Sequence, residues 1–481
     1  MNGRGDVLVL GAGSCGLSAA WDLLEKGYKV TVLEVLGEPG GLCRTSERGD
    51  YRFDLGGHRF ISRDQGLIDR VQKLMGSELL VSTRKSVIRF QGKNYKYPLN
   101  ARDLLVNMNP LLSSACFLSY VKSRLLNRLN PQPDDNFEEW LVNRYGRRLY
   151  QIFFEPYSTK LWGVSPREIS SEWASQRISL LNLSDVILRV LGLRKSKPRT
   201  YALKYFYPRE GIGQMFRVLA AEVERLGGMI VYNARVTAVN LEGDTVTSVE
   251  YELDGVKKKI ECEKLISTLL LPDLVKMMHP KPAAEVLAMA DDLKLRSLRF
   301  MNIPLDGIED ISDNTWWYLQ DGGYAATRLQ EPKRRSRYSA PEGKTSVMLE
   351  IPCTVGDETW TMDDKKLFER CMVDLKDMGL DLEDNVVDYY TTDAIQSYPV
   401  YSMTYRQNRD GLLEHLKKYG NLISCGRQGL FDYIFMDDAM LMGFQASEIV
   451  QGRQEHSILY DRLQDPDLLE VKSKLPDGGY E

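Results

Sequence analysis

The sequence predicts an α/β protein built around a Rossmann-like nucleotide-binding domain with a parallel sheet. An apolar run at residues 6–10 is typical of a short buried strand, and a glycine-rich turn and a helical stretch follow it directly. A second apolar run, residues 30–33, ends at Glu34. The turn has the pattern G-x-G-x-x-G, as Gly11-Ala12-Gly13-Ser14-Cys15-Gly16. The order of strand, glycines, helix, strand and acid predicts a dinucleotide site.

Each residue type in this unit suits a bound pyrophosphate. Gly11, Gly13 and Gly16 let the backbone approach the phosphates and let the helix pack closely on the strand. Cys15 lies where the predicted helix begins, and the free N–H groups there favour an anion. Glu34, roughly 20 residues after the glycines, can accept hydrogen bonds from a ribose diol.

Length and composition allow a large core and more than one lobe. The chain has 481 residues, 43% of them apolar, with a formal net charge of −4 and a pI of 5.9. This balance gives no electrostatic reason to expect nucleic acid as a partner. The seven cysteines and four histidines show no metal-ligand spacing, so we expect no metal. Scattered cysteines favour reduced thiols and a cytoplasmic location.

The sequence is not expected to span a membrane, because no stretch reaches about 18 uncharged apolar residues. The first strand begins so close to residue 1 that we expect no signal peptide. Two apolar segments, 110–118 and 184–193, are each followed by several basic residues. We favour cap helices with solvated basic ends, and peripheral contact with an anionic membrane is the alternative. The oligomeric state stays open.

The remaining elements alternate between the nucleotide domain and two other parts. The pattern assigns residues 1–100, 201–280 and 416–455 to the nucleotide domain, the last with a closing helix. Residues 101–200 form a helical cap, 281–415 a mixed-sheet substrate domain and 456–481 a peripheral tail. The predicted strands are 86–90, 94–97, 229–231, 236–239, 264–268, 299–303, 315–319, 325–328, 346–351 and 421–426, and the predicted helices include 215–226, 363–378 and 438–448.

A second glycine pair follows the acid, as Gly40-Gly41-Leu42-Cys43-Arg44-Thr45. Gly41 permits close approach, and the guanidinium of Arg44 can pair with phosphate. This G-G-x-x-R-T continuation resembles flavoproteins of the amine oxidase, protoporphyrinogen oxidase and UDP-galactopyranose mutase superfamily. The resemblance implies that the loop covers the pyrophosphate of FAD and that the cofactor is FAD rather than NAD.

The stretch Asp54-Leu55-Gly56-Gly57-His58-Arg59-Phe60 suggests a backbone pressed against the flavin. Gly56 and Gly57 allow the approach, and His58 can hydrogen-bond flavin or substrate and titrate near neutrality. The chain has one dinucleotide fingerprint, since Gly211-Ile212-Gly213 lacks the third glycine and the acid. An external reductant such as NAD(P)H would therefore reach the flavin through the substrate site or by transient docking.

Further motifs are similar to those of UDP-galactopyranose mutases. Residues 57–62 are similar to the mutase histidine loop. Residues 156–163 look like the mutase segment Y-T-E-K-x-W-G, with Thr159 in place of the glutamate. The remaining similar motifs are the Arg177-Ile178 pair, residues 324–331 around Arg328, and Gly426-Arg427 with Tyr433 and Met436-Asp437-Asp438. The resemblance covers residues 5–450.

The resemblance implies a mutase that converts a nucleoside-diphosphate sugar between its pyranose and furanose forms. Reduced FAD would attack the anomeric carbon through N5. Arg177 and Arg328 would clamp the diphosphate, and His58 would orient the sugar or the flavin. Tyr157 and Tyr405 would hydrogen-bond the diphosphate, with Tyr401 competing for the second role. Trp162 would wall the sugar pocket, and the remaining implied FAD contacts are Val236, Gly426, Arg427 and Asp438.

Two other interpretations stay open. One is a redox enzyme of the amine oxidase, protoporphyrinogen oxidase or desaturase kind, with FAD as hydride acceptor and an apolar or amine substrate. The other is a flavin-binding scaffold without catalysis. The clustered arginine, tyrosine and tryptophan residues favour the mutase, and the basic amphipathic segments favour the redox enzyme.

Overall fold

The computed structural model describes residues 5–97, 107–177 and 204–461, with the backbone alone for 175–177 and 461. At its centre is a five-stranded, all-parallel sheet, which confirms the predicted α/β fold. In spatial order the strands are Leu422–Ser424, Lys264–Ser267, Asp6–Leu10, Lys29–Leu33 and Met229–Val231. Because the first strand of the chain lies in the middle, the glycine turn is at the centre of the sheet edge.

A four-stranded sheet extends the nucleotide-binding part. Its strands are Val256–Glu261, Thr245–Leu253, Arg235–Glu242 and Met278–His279. Two small antiparallel pairs are Thr45–Arg48 with Tyr51–Asp54, and Leu79–Thr83 with Lys204–Pro208.

A seven-stranded mixed sheet forms the second layer. In spatial order its strands are Tyr390–Pro399, Leu295–Leu305, Thr345–Cys353, Arg328–Gln330, Trp316–Leu319, Ser86–Phe90 and Lys93–Lys96. Neighbours are antiparallel except for Trp316–Leu319 with Ser86–Phe90. Residues 86–96 therefore pair in this sheet, so the two sheets are interleaved along the chain.

The helices cover the sheets and form the cap. The helix of the glycine turn is Ser14–Glu25, and the closing helix Met436–Val450 packs against it. A side chain at Gly443 would lie 2.9 Å from the amide nitrogen of Ala19, so glycine allows the two helices to touch. The other described helices are Gln65–Met75, Pro110–Leu129, Phe137–Tyr145, Arg147–Leu149, Glu155–Trp162, Ser171–Arg177, Ile212–Arg225, Leu271–Met277, Ala284–Asp292, Glu358–Thr361, Asp364–Asp377, Tyr405–Leu416, Gly426–Gly429 and Ser457–Asp461.

The turn at Gly211 has a structural partner inside the protein. Asp54 accepts hydrogen bonds from the amide of Ile212 (3.0 Å) and from the hydroxyl groups of Thr45 (2.7 Å) and Tyr207 (2.5 Å). This buried carboxylate caps the helix Ile212–Arg225. The turn is thus used to join elements, in agreement with a single dinucleotide fingerprint.

Two local predictions differ from the structure. The strand predicted at 325–328 is wrong, because the strand is Arg328–Gln330 and the amide of Ala325 donates instead to Asp374 (2.7 Å). The strand Tyr390–Pro399 was not predicted, since a bulge with Gln396 at a φ of 50° breaks its alternation. The basic segment 184–199 and the tail beyond 461 lie outside the described residues.

Candidate active site

The glycine turn has the geometry of a phosphate cradle. Gly11 has a φ of 100°, which favours glycine, and a side chain at Gly16 would collide with the carbonyl oxygen of Gly11. A side chain at Gly13 would meet no atom within 4 Å. Gly11 and Gly16 are therefore needed for the conformation and close packing of the turn itself. Gly13 instead faces open space through which a ligand could approach.

Glu34 is buried at the end of the second strand and is held by the glycine turn. Its carboxylate accepts hydrogen bonds from the amides of Ala12 (2.7 Å) and Leu36 (2.9 Å). Burial raises the pKa of Glu34, and these two amides oppose the rise. The carboxylate is thus fixed in place, where its remaining lone pairs can accept from a ribose.

The second glycine loop lies against the first. The amide of Gly40 donates to the carbonyl of Ala12 (2.8 Å), and a side chain at Gly41 would lie 3.4 Å from the Cα of Gly13. Arg44 donates through Nε to the carbonyl of Gly41 (2.9 Å) and lies 3.4 Å from the carboxylate of Glu38. The loop holds its own arginine beside the cradle.

The C-terminal turn closes the cradle from the other side. Gly426 has a φ of 79°, and a side chain there would lie 2.9 Å from the Cβ of Cys15. The thiols of Cys15 and Cys425 are 3.4 Å apart. Arg427 donates to the carbonyls of Ser397 (2.6 Å) and Ile434 (3.2 Å), so its role in the protein is to hold this turn.

The two other implied FAD residues lie in this part of the fold. Val236 is the second residue of the strand Arg235–Glu242 and packs on the core of the nucleotide-binding part. Asp438 is buried in the first turn of the closing helix.

The mixed sheet places Arg328 beside the histidine loop. A side chain at Gly57 would lie 3.4 Å from Nη1 of Arg328. On the next strand the carboxylate of Glu350 forms an ion pair with Nη2 of Arg328, and the two residues are register partners. Burial opposes the charge on Arg328, but Glu350 and the neighbouring tyrosines together favour it, so the pKa of Arg328 is raised.

Half-buried tyrosines surround this guanidinium. The hydroxyl of Tyr398 lies 3.3 Å from Nη2 of Arg328, and the rings of Tyr398 and Tyr433 stack with centroids 5.2 Å apart. Burial raises the pKa of Tyr157, and Arg328 opposes the rise. Tyr318 also belongs to the groups that act electrostatically on Arg328. The guanidinium of Arg328 thus contacts the phenol of Tyr398 and interacts electrostatically with those of Tyr157 and Tyr318.

A buried polar network supports the same loop. Glu350 accepts a hydrogen bond from the amide of Gln330, whose oxygen accepts from Nη1 of Arg335 (2.5 Å). Arg335 also donates to the carbonyl of Gly56 (3.3 Å), two residues before His58. Its Nε and Nη2 atoms are buried and have no hydrogen-bond partner in the described chain.

His58 carries an unpaired buried atom in this site. Its Nδ1 has no hydrogen-bond partner among the residues that the structure describes. Burial lowers the pKa of His58 to about 4, Asp54 opposes the change, and the cation of Arg335 adds to it. The imidazole is therefore neutral at pH 7, and titration near neutrality is not its property in this fold.

Residues 14–451 match the family described as flavin containing amine oxidoreductase. The match covers most of the chain. The protein belongs to this family. The open space at Gly13 and the unpaired Nδ1 of His58 fit the flavin cofactor that the family implies: the glycine turn would hold its phosphates, and His58 could make a hydrogen bond to it.

Two curated relatives are mutases. The chain is 24% identical over 179 residues to a probable UDP-galactopyranose mutase of Klebsiella pneumoniae, covering 35% of this chain and 44% of the relative. It is 26% identical over 219 residues to a dTDP-fucopyranose mutase of Escherichia coli, covering 44% and 53%. The matched part thus spans about half the length of these relatives.

Solved structures of the family share the whole fold. A reduced UDP-galactopyranose mutase has a TM-score of 0.83 at 23% identity, covering 96% of this chain and 98% of that one. A putative protoporphyrinogen oxidase from Exiguobacterium has a TM-score of 0.70 at 17% identity, covering 94% and 99%. At these identities the likeness shows the fold alone.

Two of the predicted site residues, Trp162 and Tyr405, pack behind Tyr398, and for a third, Arg177, the structure describes the backbone alone. Trp162 is fully buried, with its ring edge-on to Trp173 (centroids 4.7 Å apart) and to Tyr398 (6.3 Å). Tyr405 stacks on Tyr401 at 4.2 Å and donates to Glu172. Both lie in the layer behind Tyr398. The backbone of Arg177 ends a short helix, and its side chain lies outside the described residues.

Sequence reasoning missed Glu350, Arg335 and Tyr398 as site residues. Glu350 lies in the strand Thr345–Cys353, whose sequence is mostly apolar. Nothing in that pattern indicates that a glutamate there is buried and forms an ion pair with Arg328. Arg335 follows the mutase-like segment 324–331 and lies among other basic residues. The one available signal was Tyr398-Pro399, an aromatic residue before a proline at a strand end.

The cap helix with Tyr157 is fixed to the mixed sheet by a lysine. The ammonium of Lys160 donates to the carbonyls of Leu319 (3.0 Å), Asp321 (2.9 Å) and Ala326 (2.8 Å). Burial lowers the pKa of Lys160 to about 8. A π-helical turn, Tyr150–Phe154, precedes Pro156 and lets the helix continue past a residue without an amide hydrogen.

Proposed function

We propose that the protein is a flavin-dependent nucleotide-sugar mutase that interconverts the pyranose and furanose forms of a nucleoside-diphosphate sugar. The observation that carries the proposal is the position of Arg328. Its Nη1 lies 3.4 Å from where the Cβ of a side chain at Gly57 would be, and its Nη2 lies 3.3 Å from the hydroxyl of Tyr398. The phenol of Tyr157 is close enough to interact with it electrostatically. A guanidinium with phenol donors suits a diphosphate, whose oxygens accept several charge-assisted hydrogen bonds. The names of the two mutase relatives support the same substrate class.

The chain binds and orients the substrate in this proposal. Arg328 holds the diphosphate and stabilises the negative charge that grows there as the bond to the sugar breaks. Tyr157 and Tyr398 donate hydrogen bonds to the same group, because burial raises the pKa of both phenols and keeps them protonated. Arg177 is the second proposed diphosphate contact.

Neutral His58 positions the sugar or the cofactor. Its unpaired Nδ1 can make one hydrogen bond without adding charge to a site that already contains Arg328 and Arg335. When bound, reduced FAD would supply the nucleophile for the anomeric carbon. The residues around it keep the sugar at that position while the diphosphate is released and returned.

The test is a titration of the dithionite-reduced holoprotein with UDP, TDP and GDP sugars, followed by ring analysis of the recovered sugars. A nucleotide-specific change in the flavin spectrum, with pyranose–furanose conversion in the reduced state alone, is the expected result. Arg328→Lys is the matched variant, since it keeps the charge and loses the forked hydrogen bonds. Conversion by the oxidised protein would contradict the proposal.

A flavin oxidoreductase is the second candidate, favoured by the shared fold with a putative protoporphyrinogen oxidase. It predicts that an amine or a polyene reduces the flavin in the absence of any nucleotide sugar. No response to the three nucleotide sugars together with such a reduction would replace the mutase by this activity.

A further inference from the structure

The helix Pro110–Leu129 exposes large apolar side chains to solvent. Leu111 and Leu129 are each 83% exposed, and Leu118 is 67% exposed. Other exposed large apolar residues on the same helix are Phe117, Leu125 and Leu126. Isolated exposed leucines are normal, but six such residues on one helix form a patch.

The exposed leucines lie in one stripe. Leu111, Leu118 and Leu125 are spaced seven apart and Leu129 follows four later, so they project from one side of the helix. We call this side the leucine face. The opposite side is buried through Cys116 and Tyr120.

A glycine fixes this orientation. A side chain at Gly146 would lie 2.6 Å from the amide nitrogen of Tyr120, so glycine permits a close crossing on the buried side. The buried side of the helix is therefore committed to the cap, and the leucine face points away from it.

The charges on this helix have one sign. Lys122, Arg124 and Arg128 are exposed, and residues 110–129 contain no aspartate or glutamate. The whole chain, in contrast, has a net charge of −4. A local cationic helix in an acidic protein favours an anionic surface as its partner.

We propose that the leucine face binds the surface of an anionic lipid membrane, with the helix axis in the plane of the interface. The leucines would enter the boundary between headgroups and acyl chains, and Lys122 and Arg128, which lie beside the leucines, would contact anionic headgroups. Arg124 lies over the ring of Tyr120 on the buried side of the helix. No helix in the described part of the chain is long and apolar enough to cross a membrane, so the contact is peripheral.

Charge disfavours the other occupants of this face. A second copy would place an identical cationic helix against it. Residues 178–203 are apolar too, but their sequence contains five basic residues and one acid. Both occupants would bring like charges together, whereas an anionic bilayer neutralises them.

The experiment is co-sedimentation of the full-length, FAD-loaded protein with vesicles. One vesicle is phosphatidylcholine alone, and the other contains roughly one-third phosphatidylglycerol. The first variant, Leu118→Glu with Leu125→Glu, removes the apolar stripe. The second, Lys122→Glu with Arg128→Glu, reverses the charge beside the leucines. Val373→Glu is the control, because Val373 is 64% exposed on a different helix.

The wild type and Val373→Glu are expected to bind the anionic vesicles, and each helix variant to bind at least about tenfold more weakly. Raising the salt from about 0.1 M to about 0.5 M should weaken wild-type binding further. Equal sedimentation of the wild type and both helix variants would overturn the proposal. So would a dimer, by light scattering without vesicles, that Leu118→Glu with Leu125→Glu converts to a monomer.

Discussion

The guanidinium of Arg328 and the carboxylate of Glu350 form an ion pair between register partners on adjacent antiparallel strands. Glu350 is fully buried, and burial raises its pKa while Arg328 opposes the rise. Because both residues lie on paired strands, the ion pair holds the guanidinium of Arg328 in one position. A diphosphate bound here would meet a cation whose position is set by a sheet.

Loss of either partner should therefore have distinct effects. We expect Arg328→Ala to lower kcat/KM by at least about 100-fold, because the diphosphate loses its fixed cation. Glu350→Ala leaves a buried, unpaired guanidinium and should lower the free energy of unfolding by about 3 kcal/mol, measured in urea. Arg48→Ala breaks an exposed pair with Asp388 and should cost less than about 1 kcal/mol. An equally small effect of Glu350→Ala would contradict the buried pairing.

Tyr398 lies in the site, whereas Tyr405 lies in the layer behind it. Tyr398 touches Arg328, whereas the hydroxyl of Tyr405 is used by Glu172. We expect Tyr398→Phe to lower kcat/KM by about tenfold, since one hydrogen bond to a charged group is lost. Tyr405→Phe loses the hydrogen bond to Glu172, so it should lower the thermal stability and leave kcat/KM within about twofold. Steady-state kinetics on both variants would reverse this assignment if Tyr405→Phe had the larger effect.

Gly13 and Gly16 belong to one motif but have different surroundings. Gly13→Ala should leave folding intact, because its side chain would meet nothing in the protein, and should weaken FAD binding by blocking the phosphates. Gly16→Ala meets the carbonyl of Gly11 and should destabilise the apoprotein by about 2 kcal/mol. Urea unfolding of the apoproteins and flavin titration distinguish the two. A destabilised Gly13→Ala apoprotein would contradict this prediction, because it would mean that the added methyl group collides with the protein itself.

Neutral His58 gives a pH dependence with a defined sign. Its pKa is about 4 in the fold, below the ordinary value of 6.5, so the unfolded chain binds the proton more tightly. Stability is expected to fall as the pH drops below 6.5, with His58 contributing about 1–2 kcal/mol of loss by pH 5. His58→Gln should lose less stability over the same interval in urea unfolding. Parallel curves for both proteins would mean that the imidazole titrates normally.

Lys160 offers a test of how the cap is attached. Lys160→Met leaves three carbonyl oxygens without their donor and should lower the free energy of unfolding by about 3 kcal/mol. Lys344→Met, which breaks an exposed pair with Asp306, is the matched control and should cost less than about 1 kcal/mol. If both variants unfold alike, Lys160 does not hold the cap.

The nucleotide-binding part could be predicted from sequence because its signals are local. Gly11, Gly16 and Glu34 act within one strand–helix–strand unit. In the structure Gly16 packs against the backbone of Gly11, and the carboxylate of Glu34 accepts from the amide of Ala12 in the same turn. The phenols around Arg328 come from residues far apart in sequence, and their meeting depends on the register of the mixed sheet. A register shift of one residue would turn Glu350 away from Arg328. No local pattern specifies that pairing.

The central sheet also governs how the protein is made. The strand Asp6–Leu10 is synthesised first, but its sheet is complete only when Leu422–Ser424 has emerged. At ribosomal speeds the sheet stays incomplete for on the order of tens of seconds after the first strand is made, until this last strand can pair with Lys264–Ser267. During that time the apolar edge is open to chaperones and to aggregation. A chain truncated before residue 420 lacks both this last strand and the turn at Gly426 that closes the glycine cradle. We therefore expect that such a chain cannot retain a flavin and that the cofactor binds only after the C-terminal part has been made.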